Sequence, residues 1–308
     1  MSSSTDQPFS NGGLGPFGMG LIGGVFLISG VAGLIYELIW FRMLANTFGT
    51  TGPAVAITTA GFMAGLGIGS QLMGRAIDRS RSPALIYALL EGSIALIAAI
   101  MGDGIRWVES AWGTWAGQDF SGGHDPVLLI GIFFLLVVPT ALMGATLPVL
   151  AKAVVRKTGH LGRRFTWLYG MNTLGAACGA WATGFYLIPE WGIPKTTEIA
   201  IGLNLFAGFV VLVWALTSRV RLGDTSRDAA APKTTDCTGQ RSPIPRTILF
   251  AVFLTGFVGL ACQYHWTRCL IFSFDRLKNT TYSFSAVLSV MLIALVLGTS
   301  LVYWFVDR

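Results

Sequence analysis

Charge is what this sequence has least of. Only 12% of its 308 residues are Asp, Glu, Lys or Arg, about half the ~25% usual in soluble domains. So few charges cannot clothe a water-facing surface of this size, which excludes an ordinary soluble enzyme or binding module. The three histidines, His124, His160 and His265, lie far apart. Cys178, Cys262 and Cys269 fall in apolar runs and Cys237 in a polar segment. No CxxC pair or Cys/His ligand spacing occurs, so neither a disulfide framework nor a metal site is indicated. No nucleophile–base set and no glycine-rich cofactor loop is visible, and no cofactor is expected in this chain. Residues 1–18 contain no Lys or Arg and so lack the basic n-region of a secretory signal; they read as a flexible tail.

What is present is hydrophobic: 53% of residues, with a mean hydropathy of +0.64. The apolar residues are gathered into runs of about 20, the length that crosses a bilayer as a helix. Eight runs qualify: 19–42, 53–74, 83–102, 127–151, 166–188, 198–217, 247–271 and 282–305. Lipid offers no partner to an open backbone, so these are expected to be helices, and a barrel would show alternation instead. The fold class is therefore all-α, a polytopic transmembrane bundle in the cell (inner or plasma) membrane with the lipid bilayer as its main partner.

The net charge of +6 does not point to nucleic acid, because the basic residues sit in short segments between apolar runs. Fifteen of the 21 Lys and Arg residues follow the second, fourth, sixth and eighth runs. The positive-inside rule then places both termini in the cytoplasm. The stretch at 218–246, SRVRLGDTSRDAAAPKTTDCTGQRSPIPR, is rich in Pro, Ser, Thr and charge and reads as a cytoplasmic linker. It divides the chain into a six-span bundle, 19–217, and two further spans, 247–308.

After that linker the opening motif returns. GVAGLIYELIWFRMLANTF at 30–48 aligns without gaps on GFVGLACQYHWTRCLIFSF at 256–274. Gly30, Gly33, Leu34, Trp40, Arg42, Leu44 and Phe48 recur as Gly256, Gly259, Leu260, Trp266, Arg268, Leu270 and Phe274. Further on, Gly69 and Asp78-Arg79 recur as Gly298 and Asp307-Arg308. The last two spans thus read as the start of a second, parallel repeat, as in transporters built from two six-span halves. That repeat is incomplete at Arg308, which points to a truncated or split protein.

GLIYELIWFRML, GFMAGLGIGSQLMGRAIDR at 61–79, PTALMGATLPVLAK at 139–152 and LYGMNTLGAACGA at 168–180 resemble the membrane region of the fused major-facilitator-like/spermidine synthase proteins. The resemblance runs in order through most of the first six spans. It implies major-facilitator-like organisation and an association with polyamine synthesis. Family members carry a cytoplasmic, Rossmann-like aminopropyltransferase domain that uses decarboxylated S-adenosylmethionine and putrescine; none of it is recognisable here. Gly74, Asp78, Arg79 and Arg81 also resemble the loop after the second span of major facilitators, where an Asp latches one conformation. A plain basic loop would look much the same.

The remaining question is why polar residues occupy the spans. An ionised residue at a helix centre costs about 2.5–3.5 kcal/mol on insertion scales. Glu37 is expected roughly 10 Å outward of the middle of the first span, with Arg42 near the outer interface. Five residues apart, they point about 140° away from each other on a helix, so Glu37 should turn toward other helices. Its repeat counterpart is Gln263, so the slot takes a polar acceptor twice and a carboxylate once. Two readings stand: an interhelical hydrogen bond that fixes packing, or a proton- or cation-binding carboxylate. Glu91, in the third span, is the second candidate of that kind. Among Tyr36, Trp40, Trp167 and Tyr169, the two acids would suit a flexible organic polycation, a reading motivated by the resemblance to polyamine-linked proteins; the Asn172 amide is a further ligand candidate. Arg42, Gln263, Arg268, Asp78 and Arg79 read as conformational or structural polar residues. Gly175 and Gly179 should admit a close helix neighbour, and Pro139 and Pro148 should bend or break the fourth span.

Two functions follow. The chain is a membrane module that anchors or serves an aminopropyltransferase domain on a longer version of this chain or on a neighbouring polypeptide, so its expected partners are that cytoplasmic domain or the missing spans of a split protein. Alternatively it is a stand-alone transporter-like protein moving a small solute, a polyamine among the possibilities.

Overall fold

The computed structural model describes residues 16–48, 51–80, 82–116, 126–154, 161–217, 245–273 and 280–305. Among these residues the chain is helical with no strand. The helices are α1 (Pro16–Phe48), α2 (Thr51–Ala76), α3 (Pro83–Ala116), α4 (Pro126–Val154), α5 (Leu161–Ala182), α6 (Ile188–Thr217), α7 (Arg246–Ser273) and α8 (Thr280–Phe305). A 3₁₀ turn at Ile77–Arg79 ends α2, and a π-helical turn at Thr183–Leu187 joins α5 to α6. Most of the linker expected at 218–246 and of the tail at 1–18 lies outside the described residues, as do Arg81, Phe274, Asp307 and Arg308.

Seven helical stretches are long and apolar enough to cross a membrane, among them a continuous one at Gly162–Thr217 of 56 residues. At 1.5 Å per residue that length is about 84 Å, far more than the ~30 Å of hydrocarbon. It is interrupted inside α6 at Gly192, whose φ of 70° and ψ of 176° are not helical. The interruption falls between the expected spans 166–188 and 198–217.

α1 lies at the centre. It packs against α5 and α6 most extensively and touches α2, α3, α4 and α8 as well. Accordingly Ile35, Tyr36, Leu38, Ile39, Trp40 and Phe41 are all buried. The other main seams are α2 with α4, α3 with α4 and α6, and α5 with α8. α7 is peripheral, touching α2 and α8, and its buried residues are Gln263 and Thr267.

Two seams depend on glycine. On α2, a Cβ at Gly69 would lie 1.8 Å from the Ala141 carbonyl oxygen, so α2 and α4 touch backbone to backbone. On α5, Cβ atoms at Gly175 and Gly179 would meet the carbonyls of Leu27 and Val31 on α1 at 2.0 and 2.5 Å. The small-xxx-small spacing does what it does in membrane helices generally, letting backbones approach. α4 runs unbroken through Pro139 and Pro148, so neither proline ends the helix. Beside Pro139, the Thr140 hydroxyl donates to the Leu136 carbonyl at 2.8 Å and meets the Gly61 carbonyl of α2 at 3.3 Å. Hydroxyls and neighbouring helices of this kind let proline sit inside membrane helices.

Candidate functional site

Ser29, Gly33 and Glu37 follow one another at four-residue intervals, so they form one stripe on α1. Each end of the stripe carries a buried carboxylate. At one end, Ser29 Oγ donates to Glu91 Oε1 on α3 across 2.7 Å. Glu91 is fully buried, and its second oxygen, Oε2, has no hydrogen-bond partner. At the other end Glu37 is buried, and its Oε1 is likewise without a partner. Between them the space beside Gly33 is open: no atom lies within 4 Å of where a Cβ would stand.

Two more side chains surround Glu91. Tyr87, one turn earlier on α3, turns its hydroxyl toward the same carboxylate without completing a hydrogen bond. Tyr36 of α1 lies within electrostatic reach of it. α6 closes the third side, where a Cβ at Gly208 would be 3.1 Å from Glu91 Cβ. One turn before Gly208, Asn204 is buried with Oδ1 unpartnered. Buried polar atoms are nearly always hydrogen-bonded. A run of exceptions at Tyr36, Glu37, Tyr87, Glu91 and Asn204 is therefore where a proton-bearing or cationic ligand would relieve the largest cost.

The sequence-derived candidates separate into groups. Glu37, Glu91 and Tyr36 belong to the region just described. Trp40 is buried and stacks on Tyr36, with ring centroids 5.6 Å apart, so it backs the site. Asn172 sits at the α1–α5 crossing, its backbone carbonyl against Gly30. Arg42 is half-buried at the far end of α1. Gln263 is buried like its counterpart Glu37, and its Nε2 is unpartnered. Arg268 is exposed, with its guanidinium beside Gly52 and 5.6 Å from the Phe272 ring centroid. Asp78 and Arg79 are both exposed on the 3₁₀ turn. The side chain that ties that turn down is Lys152 of α4, which donates to the carbonyls of Ile77 and Ser80. Ser29 and Tyr87 were not singled out as ligands by sequence. Ser29 and Tyr87 carry no signal of their own, since a serine or tyrosine in a span is commonplace.

Among known proteins, the chain is 26% identical over 188 residues to polyamine aminopropyltransferases of two Mycobacterium tuberculosis strains and of Mycobacterium bovis. The similarity takes in 60% of this chain and 34% of theirs. The chain thus matches about a third of the length of these curated relatives. No family profile matches it, and no solved structure does. This is distant homology to the polyamine aminopropyltransferases, found in a chain whose apolar helices are long enough to span a membrane.

Proposed function

We propose that the chain is a multi-pass module of the cell membrane that anchors or serves a polyamine aminopropyltransferase, and that it holds an organic cation between Glu37 and Glu91. The observation that carries this reading is the stripe on α1, with open space at Gly33 between two buried carboxylates, each with one oxygen that lacks a partner. Eight residues separate the Ser29 and Glu37 levels, about 12 Å along the helix. Two acids that far apart suit an extended di- or polycation better than a single point charge. Tyr36 offers a ring face for the alkylammonium groups. The relatives' name supplies the chemical class.

In this reading the helix break at Gly192 turns the 56-residue stretch into two passes, giving eight in all. The 15 basic residues counted on one side then put both termini in the cytoplasm, where the aminopropyltransferase would act. The seam between α5 and α8 joins the six-helix bundle to the last two helices, as a major-facilitator-like pair of halves requires. Anchoring is tested by fractionating cells with and without an early stop codon in this coding sequence. Aminopropyltransferase activity should move from the membrane pellet to the supernatant; an unchanged distribution would end the anchoring reading.

The cation site is tested separately by equilibrium binding of labelled spermidine to the purified chain in detergent. Glu37→Gln and Glu91→Gln should each weaken binding, and Gly33→Leu should block it by filling the gap. Saturable binding unchanged in the double Gln variant would remove both carboxylates from the site. A second reading, a stand-alone transporter, is favoured by the same gap, since a translocation site also needs space beside buried charge. Spermidine uptake into proteoliposomes without any partner protein distinguishes it.

A further inference from the structure

The side of α7 turned away from the bundle carries a second arrangement. Val258, Cys262, His265, Cys269 and Phe272 follow one another at alternating intervals of four and three residues, the spacing of a helix–helix seam. Four of them are exposed and Cys269 is half-buried. By helix geometry the stripe lies about 160° around the axis from Gln263 and Thr267, the pair that α7 buries. Within the stripe, Cys269 Sγ and His265 Nε2 are 3.5 Å apart. A tetrahedral zinc ion about 2.3 Å from sulfur and about 2.0–2.1 Å from nitrogen holds those two atoms about 3.6 Å apart. The pair therefore stands at chelating distance. It supplies only two of the four ligands, and among the described residues of one chain no group of three or more His, Cys, Asp or Glu could hold a metal.

We propose that a second copy of this chain packs its α7 on this seam, and that the two His265–Cys269 pairs hold one zinc ion on the twofold axis between them. With both chains in one bilayer orientation, each seam residue meets its own counterpart across the axis. The partner pair thus brings the two ligands that are lacking. Charge selects the second copy over water as their source. Binding releases one proton from each thiol, so two thiolates balance Zn²⁺ and two neutral imidazoles complete an uncharged site. A single pair completed by water would keep a positive charge on a helix face within the expected span 247–271, where charge is expensive. Sulfur and imidazole also exclude magnesium and calcium, which take oxygen ligands.

The test is the mass of the purified full chain in detergent, with added zinc or with a chelator, together with metal analysis. Zinc should double the protein mass and remain at one ion per two chains, and the chelator should restore the single-chain mass. Cobalt(II), a spectroscopic stand-in for zinc, should give the visible bands of a tetrahedral site with thiolate charge transfer. Cys269→Ser and His265→Ala should each abolish zinc retention and doubling. Cys178→Ser, which removes an exposed cysteine on α5, should keep both. Three results would overturn the proposal: a wild-type mass that zinc leaves unchanged, cobalt bands without thiolate charge transfer, or doubling that survives in the Cys269→Ser and His265→Ala variants. The first would assign this face of α7 to lipid or to a helix of another polypeptide.

Discussion

Ser29 on α1 and Glu91 on α3 are joined by a 2.7 Å hydrogen bond across 62 residues of sequence. It is a direct polar link between the central helix and α3, and it satisfies one of the two oxygens of a fully buried carboxylate. Ser29→Ala removes the donor and leaves both oxygens without it. Leaving a buried acceptor unsatisfied costs about 1–3 kcal/mol, so the unfolding midpoint in detergent should fall. Adding Glu91→Gln should recover part of the loss, because the neutral amide is cheaper to bury. Equal midpoints for wild type and Ser29→Ala would show that the bond contributes nothing.

The α2–α4 seam makes a paired prediction about glycines two residues apart. A Cβ at Gly69 would stand 1.8 Å from the Ala141 carbonyl oxygen, whereas nothing lies within 4 Å of one at Gly67. Gly69→Ala must therefore push two helices apart and should cost about 1–3 kcal/mol, as overpacking does. Gly67→Ala should be neutral or stabilising by up to about 1 kcal/mol, because alanine favours helix. Thermal unfolding of the two variants side by side checks both signs.

Gly192 holds the break in the long helical stretch with φ 70° and ψ 176°, a region that essentially only glycine occupies. The nearest foreign atom to a Cβ there is Pro194 Cδ at 3.9 Å, so space is not the obstacle. Backbone strain is, at about 1–3 kcal/mol for Gly192→Ala. Cysteine accessibility on the two sides of the break should become less distinct in that variant as the turn straightens. An unchanged labelling pattern and midpoint would mean that the backbone there relaxes without cost.

How much of this was legible in the sequence depends on what the signal measures. Hydropathy and length placed a span on each of the eight α-helices among the described residues, and the break at Gly192 falls in the gap left between the expected spans 166–188 and 198–217. The approach of α1 and α5 was readable from Gly175 and Gly179. Which face each helix turns inward was not, because helices apolar all round carry no stripe to read. That is why Glu37 and Glu91 stood out as carboxylates in spans while Ser29, Tyr87 and Gly33, which give the pair its geometry, did not. The repeat shows the same limit. Glu37 and Gln263 are both buried, yet Trp40 is 1% exposed and its counterpart Trp266 is 60% exposed. Sequence identity between the two stretches does not carry burial with it, and tertiary placement decides what each packs against.

The loop after α2 yields the last prediction, and here charge alone misleads. Asp78 and Arg79 are exposed, so as single residues they have little to hold. Lys152, half-buried at the end of α4, donates to the Ile77 carbonyl and, at 3.1 Å, to the Ser80 carbonyl. Those carbonyls end the helix and are otherwise short of donors, although the Ser80 amide also meets Ile77 O at 2.9 Å. Charge-assisted bonds to two carbonyls stabilise the turn more than a neutral pair would. Lys152→Met keeps the length and apolar stem and removes the donors. Amide exchange at Asp78, Arg79, Ser80 and Ser82 should then quicken by roughly tenfold, the equivalent of one such hydrogen bond. Asp78→Asn and Arg79→Gln should leave exchange at wild-type rates. Faster exchange in those two variants and not in Lys152→Met would return the latch to the acidic and arginine pair.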